Sequence, residues 1–220
     1  MSVLGVILKK KIKKKVKLVC GVGINDLKGL GTEETKPYYS RWKGMLERCY
    51  SEKVRGKYPT YQNCTVCEEW LIFSNFKRWM ETQDWKGKAL DKDLLVYGNT
   101  VYSPETCCFI NIRLNNFMIK SDKIRGDYPL GVWTEHYSLL DGTIKTVYRS
   151  HIGDGINGKL KRLGYFENSL SAHKAWQKAK IEQALVLANQ QTDLRVKGGF
   201  LRVASKIQAD HDNNLITEDF

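Results

Sequence analysis

Thr143 to Ile152 alternates with period two. Ile144, Thr146, Tyr148, Ser150 and Ile152 fall on one face, and Lys145, Val147, Arg149 and His151 on the other. Side chains of a strand point to alternate sides, so this run fits a sheet with one covered and one solvated face. Gly131-Val132-Trp133 starts a strand before it. Lys159 to Phe166 predicts a third strand after the turn Gly153 to Gly158. A long helix to about Gln190 follows, capped by Ser169 or Ser171. Its face is Ala172, Ala175, Trp176, Ala179 and Leu187, widened by Ile181 and Leu185. Three antiparallel strands and one helix make a two-layer module.

The first half carries a helical period. Tyr39, Trp42, Met45, Leu46 and Cys49 recur at three- and four-residue steps, which predicts a helix over Pro37 to Tyr50. A second is predicted from Cys67 to Gln83, with Trp70, Phe73, Phe76, Trp79 and Met80 on a wide aromatic face. Rings at that spacing suit a packed core better than base stacking. Lys53 to Asn63 reads as a basic loop. Gly21-Val22-Gly23-Ile24-Asn25-Asp26 reads as a turn, since it lacks the Gly-Lys-Ser/Thr ending of a phosphate loop. Ser121 to Pro129 reads as a polar linker. The stretch after Arg195, with Asp210, Asp212, Glu218 and Asp219, reads as a poorly ordered tail or a contact for a host protein.

Charge sets the class of partner. The 220 residues carry a net +12, and Lys9, Lys10, Lys11, Lys13, Lys14, Lys15 and Lys17 crowd one short arm. Like charges at that density repel until they meet phosphate, so nucleic acid is the expected partner and an anionic membrane surface the rival. Such an arm adds affinity without reading sequence. No apolar run approaches the roughly 18 residues of a spanning helix. The apolar start precedes its lysines, the reverse of a signal peptide, so secretion is not expected. The six cysteines are then expected as reduced, mostly buried thiols. Cys64 and Cys67 form half of a zinc site, but the adjacent Cys107 and Cys108 make a poor second half, so Zn2+ is the lesser expectation.

Leu90 to Asn115 is the stretch richest in chemistry. Asp91, Lys92 and Asp93 precede the turn Gly98-Asn99. Ser103-Pro104-Glu105 starts a short helical turn, and Asn111 to Lys120 predicts a helix. Leu90-Asp91-Lys92-Asp93 resembles the Leu-Asp-His-Asp of some HNH nucleases, whose strand, loop and helix cup one divalent ion. The resemblance implies Asp91 with Asn111 or Asn115 as ligands of Mg2+, Asn99 as the residue orienting the loop, and Asp93 beside the ion. It places Cys64 and Cys67 where related members carry a first zinc pair. Lys92 stands where the general-base histidine belongs. A solvated lysine, with a pKa near 10.4, is a poor base at neutral pH. Asp91 and Asp93 favour its charged form. As a cation it would stabilise phosphorane-like charge instead.

The segment from Gly131 to Asn189 resembles the DNA-binding domain of ethylene-responsive factors, which also occurs on phage HNH homing endonucleases. The matching residues are Gly131-Val132, Tyr148-x-Ser150-x-Ile152, Asn157-Gly158-Lys159, Leu163-Gly164-x-Phe166, and Ala172, Ala175, Trp176 and Ala179-Lys180. In that family the sheet lies in the major groove. The resemblance therefore implies that Trp133, Lys145, Arg149, His151, Lys159, Lys161 and Arg162 face DNA. The chain departs from the family over Glu135 to Asp141, which is longer and acidic. Gly21 to Lys180 is also similar to a group of tailed-phage proteins, through Gly21 to Asp26, Trp42-x-x-Met45-Leu46-x-Arg48-Cys49-Tyr50, Glu69-Trp70, Leu90 to Asp93 and Tyr102 to Cys107.

These readings give an α+β chain: a basic arm (1–20), an HNH-like ββα-type aromatic module (21–122), a three-stranded antiparallel sheet packed on one helix (130–190), and a tail (191–220). The expected partner is double-stranded DNA in the cytoplasm of a phage-infected bacterium. The expected function is a DNA endonuclease or nickase, or its catalytically degenerate relative. The alternative is a non-enzymatic nucleic-acid- or host-protein-binding factor in phage takeover or transcription control.

Overall fold

The structure, a computed structural model, describes residues 17–27, 32–118, 127–153 and 159–220. The lysines at 9–15 and most of the linker over 121–129 lie outside the described residues. In chain order the helices and strands are α1 (Thr32–Tyr50), α2 (Glu52–Lys57), β1 (Thr65–Val66), α3 (Phe73–Glu81), β2 (Lys88–Asp91), β3 (Val101–Tyr102), β4 (Cys108–Asn111), α4 (Ile112–Phe117), β5 (Val132–Ser138), β6 (Ile144–Gly153), β7 (Leu160–Phe166), α5 (Ser169–Asn189) and α6 (Leu194–Asp212). They form two compact units, Met1–Trp85 with Asn99–Cys107, and Lys86–Gly98 with Cys108–Phe220. The division falls inside the stretch read from sequence as one HNH-like module.

In the first unit the aromatic residues are core. Trp42, Trp70, Phe73, Phe76 and Met80 are buried, and Trp42 Nε1 donates to the Trp70 carbonyl at 2.6 Å. The aromatic helix expected over Cys67 to Gln83 is broken at Ile72, which is extended. The cause is Ile24. Its N–H donates to Leu71 O at 2.8 Å, and its own carbonyl accepts from Phe73 N–H at 3.0 Å. Gly23 allows the approach, because a Cβ there would meet Leu46 Cδ1 at 2.4 Å. Asp26 Oδ1 accepts from Ser74 N–H at 2.9 Å at the start of α3. The glycine-rich turn is thus a clamp on the aromatic core. The expected loop over Lys53 to Asn63 instead holds most of α2 and a 3₁₀ turn at Pro59–Tyr61.

In the second unit β5, β6 and β7 form an antiparallel sheet in that order, on α5. Val132, Ser150 and Ile152 are buried on the helix side. Asn168, not a serine, caps α5: it is extended, and its side chain accepts from Ser171 N–H at 2.8 Å. The tail is likewise not loose. Val196, Phe200, Val203, Ala204 and Ile207 recur at helical spacing on α6 and are buried in the core that also holds Trp176, Leu187 and Phe220. The sheet therefore rests on α5, and α5 on α6. Residues after α6 are tied back: Gln177 Nε2 donates to Leu215 O and Thr217 Oγ1, both at 3.0 Å. Asp210 is buried, taking bonds from Lys206 and from the Thr217 hydroxyl. That carboxylate is not offered to a partner. Among the described residues no helix is long and apolar enough to cross a membrane.

Lys180 of α5 is buried among rings. Its Nζ donates to Phe117 O at 2.5 Å and lies 3.6 Å from the Phe117 ring centre and 5.1 Å from that of Phe220. Burial lowers its pKa from 10.5 to about 7. The unfolded chain therefore binds a proton between those values that the folded chain does not. The resulting destabilisation is full below pH 7 and fades as pH rises toward 10.5, by about 1.4 kcal/mol per pH unit. In urea unfolding, the stability of Lys180→Met relative to the parent is expected to be greatest at pH 7 and below, and to shrink steadily toward pH 10. A difference that does not vary with pH would contradict this.

Candidate functional site

Strand β2 pairs antiparallel with β4, and α4 follows at once. A strand–strand–helix order of the ββα type is therefore present over Lys88–Phe117, with strand β4 ending at Asn111, where the helix is expected to begin, but the side chains are arranged for another purpose. Asp91 sits opposite Cys108, whereas Asn111 sits opposite Lys88 at the other end of the ribbon. Three residue steps separate the two positions, about 10 Å at ~3.3 Å per residue, and an odd step count puts them on opposite faces. They do not share a metal ion.

Asp91 is buried, and its Oδ1 accepts from the N–H groups of Asp93 (3.0 Å) and Leu94 (2.8 Å). Burial raises its pKa, and the Leu94 N–H bond pulls it back. This carboxylate closes a turn. Lys92 is also buried, with its ammonium on the exposed carboxylate of Asp93. The turn is held from α6, where Arg202 donates to Leu94 O at 3.0 Å. Gly199 lets Leu94 in, since a Cβ there would meet Leu94 O at 2.6 Å. Neither Arg202 nor Gly199 stands out in the sequence, because their role exists only once α6 docks. Asn115 lies within α4 and is half-buried.

The remaining predicted site residues of this stretch belong to the first unit. Asn99 closes its own turn, with Nδ2 donating to Val101 O at 2.8 Å and Oδ1 accepting from Val101 N–H at 3.1 Å. Cys64 is buried and its thiol donates to Thr60 O at 3.6 Å. Burial raises the Cys67 thiol, and Glu69 and Glu105 add to that. Among the described residues, no group of three or more His, Cys, Asp or Glu could hold a metal ion. Asp91 and Asn111 do not converge, and Cys64 and Cys67 are not part of such a group.

The sheet presents a different surface. Trp133 pairs with Arg149, Tyr137 with Lys145, Arg149 with Tyr165, and His151 with Arg162. Paired residues share a face, and this one is opposite to the face of Val132, Ser150 and Ile152. So Trp133, Lys145, Arg149, His151 and Arg162 stand together on the side away from α5, with Tyr165, which the sequence reading missed. Lys161 does not join them: the shift between Ser150 and His151 places it opposite Ile152, on the helix side. Lys159 is exposed just before β7.

Contacts on this face are partly internal. Arg149 pairs with Glu135, which also accepts from the Tyr137 hydroxyl, and Arg149 Nε is buried without a hydrogen-bond partner. Arg162 donates to Tyr165 Oη at 2.9 Å. The ring centres of Trp133 and His151 are 5.3 Å apart, edge to face. Burial, then Arg149 and Arg162, lowers the His151 pKa, so this imidazole is neutral at physiological pH and meets the Trp133 ring edge to face rather than adding charge. Comparison with protein-family models, curated proteins and solved structures gave no match.

Because Asp91 is a turn acceptor, Asp91→Ala is expected to lower unfolding free energy in urea by about 1–3 kcal/mol, the typical penalty for buried donors left unpaired. Unchanged stability would contradict the turn role.

Proposed function

We propose that this chain binds duplex DNA through the outer face of β5–β7 and does not hydrolyse it through Asp91–Asp93. The observation that carries the reading is one sheet face with Trp133, Lys145, Arg149, Arg162 and Tyr165 together, in a chain of net charge +12. Guanidinium groups bond guanine edges, lysines sit on phosphates, and rings supply apolar contact. Lys9 to Lys15 would add sequence-independent phosphate contacts. The ethylene-responsive-factor resemblance supports the same face, and the phage resemblance favours an infected bacterial cytoplasm as the setting and takeover or transcription control as the role. The observation favouring a magnesium-dependent nickase is the strand–strand–helix order over Lys88–Phe117. The separation of Asp91 from Asn111 weighs against it.

Two measurements test this. Affinity for a labelled duplex is expected to fall linearly with salt on logarithmic axes, and Arg149→Ala with Arg162→Ala to weaken it by roughly tenfold or more. Supercoiled plasmid with Mg2+ is expected to stay intact. Salt-independent binding, or tighter binding to structured RNA at equal salt, would overturn the DNA reading. Nicking abolished by Asp91→Ala would restore the nuclease.

A further inference from the structure

Pairing of β5 with β6 continues past the sheet. β7 reaches β6 only as far as Tyr148, but the β5–β6 ladder runs on for four residue pairs, from Glu135–Val147 to Ser138–Ile144. A two-stranded arm thus projects about 14 Å, at ~3.4 Å per residue, beyond the three-stranded part. Its turn is closed by hydrogen bonds. Leu139 N–H donates to Thr143 O at 2.8 Å and Gly142 N–H to Leu139 O at 3.0 Å. Asp141 Oδ1 accepts from the Thr143 N–H at 2.9 Å and hydroxyl at 2.6 Å.

The composition of this tip is unusual. Turns favour Gly, Asn, Asp, Ser and Pro, yet here Leu140 is 110 % exposed, Ile144 70 %, Leu139 46 % and Tyr137 44 %. Single exposed leucines are ordinary, but Leu139 and Leu140 stand side by side at the turn, with Tyr137 on one face of the ribbon behind them and Ile144 on the other. The patch adjoins a basic surface: Lys145 pairs with Tyr137, and Arg149 lies further along the same face. Glu135 is paired with Arg149 and bonded by Tyr137, whereas Asp141 stays a charged carboxylate whose Oδ1 is turned back on the Thr143 N–H and hydroxyl. An apolar tip with cationic shoulders fits a partner with anionic walls and an apolar interior. A base-paired duplex has both, and its major groove, about 12 Å wide, admits a two-stranded ribbon.

We propose that the Leu139–Leu140 tip is a wedge that enters a base step of duplex DNA held on the sheet, unstacking and unwinding it. The proposal rests on DNA binding by the sheet face. Apolar wedges recover their cost of unstacking by extending the contacted surface.

The test is relaxation of closed circular plasmid by a type I topoisomerase in the presence of the full chain, with occupancy set by a separate binding titration. Parent protein is expected to shift the linking-number distribution. Leu139→Ser with Leu140→Ser is expected to lose that shift at equal occupancy and to bind roughly tenfold more weakly. Its salt slope and melting temperature are expected to stay those of the parent, because the two side chains are exposed. Binding without a shift, or an equal shift by the variant, overturns the wedge alone. No binding by the parent overturns the sheet reading, and the wedge with it. A change in sedimentation of the free variant, with unwinding kept, would make the tip a contact between protein copies and equally overturn the wedge.

Discussion

Trp176 lies so close to Gly131 that a Cβ at that glycine would come within 2.1 Å of its ring, and Gly131 has φ +76°. A side chain there meets both a clash and a left-handed backbone. This contact fixes where β5 begins on α5, and the rest of the sheet follows from it. Leu130 O reaches His173 Nδ1 at 2.9 Å, Val132 turns inward, and Trp133 must turn outward. A slip of one residue would exchange the two faces of the strand. The same helix is anchored from its other side: His173 Nε2 accepts from Thr217 N–H at 2.9 Å, so the ring is neutral with its proton on Nδ1. The basic face is thus set by packing behind it.

The Asp91–Asp93 turn has a similar dependence on packing. Asp91 holds the N–H groups of the turn, Lys92 is buried against Asp93, and Arg202 of α6 holds the carbonyl of Leu94. A carboxylate that ligates a metal needs an oxygen aimed at open space beside other ligands. Here Oδ1 is turned into its own backbone, with Asn111 on the far side of the ribbon. Residues that resemble a catalytic motif serve as the hinge on which β2, β4 and α6 meet.

Period two over Thr143 to Ile152 made the sheet legible, because alternation is a direct consequence of strand geometry. Period 3.6 did the same for α1 and α5. The stripe Val196, Phe200, Val203, Ala204 and Ile207 was equally present, but the flanking Asp210 and Asp212 suggested solvation, and the buried partners of Asp210 are visible only in the fold. The break at Ile72 was hidden because it depends on Ile24, 48 positions away. The place of Lys161 on the helix side was hidden because a register shift leaves no compositional mark. Of the candidate site, residue types were legible, and the separation of Asp91 from Asn111 was not, since it is a property of pairing.

The most direct measurement places a photo-cross-linking side chain at Tyr165, on the outer face, and separately at the exposed Lys178 of α5, then irradiates each with labelled duplex DNA. Binding by the sheet predicts a DNA adduct from position 165 and none from 178. Adducts from 178 alone, or from neither position at saturating DNA, would contradict it.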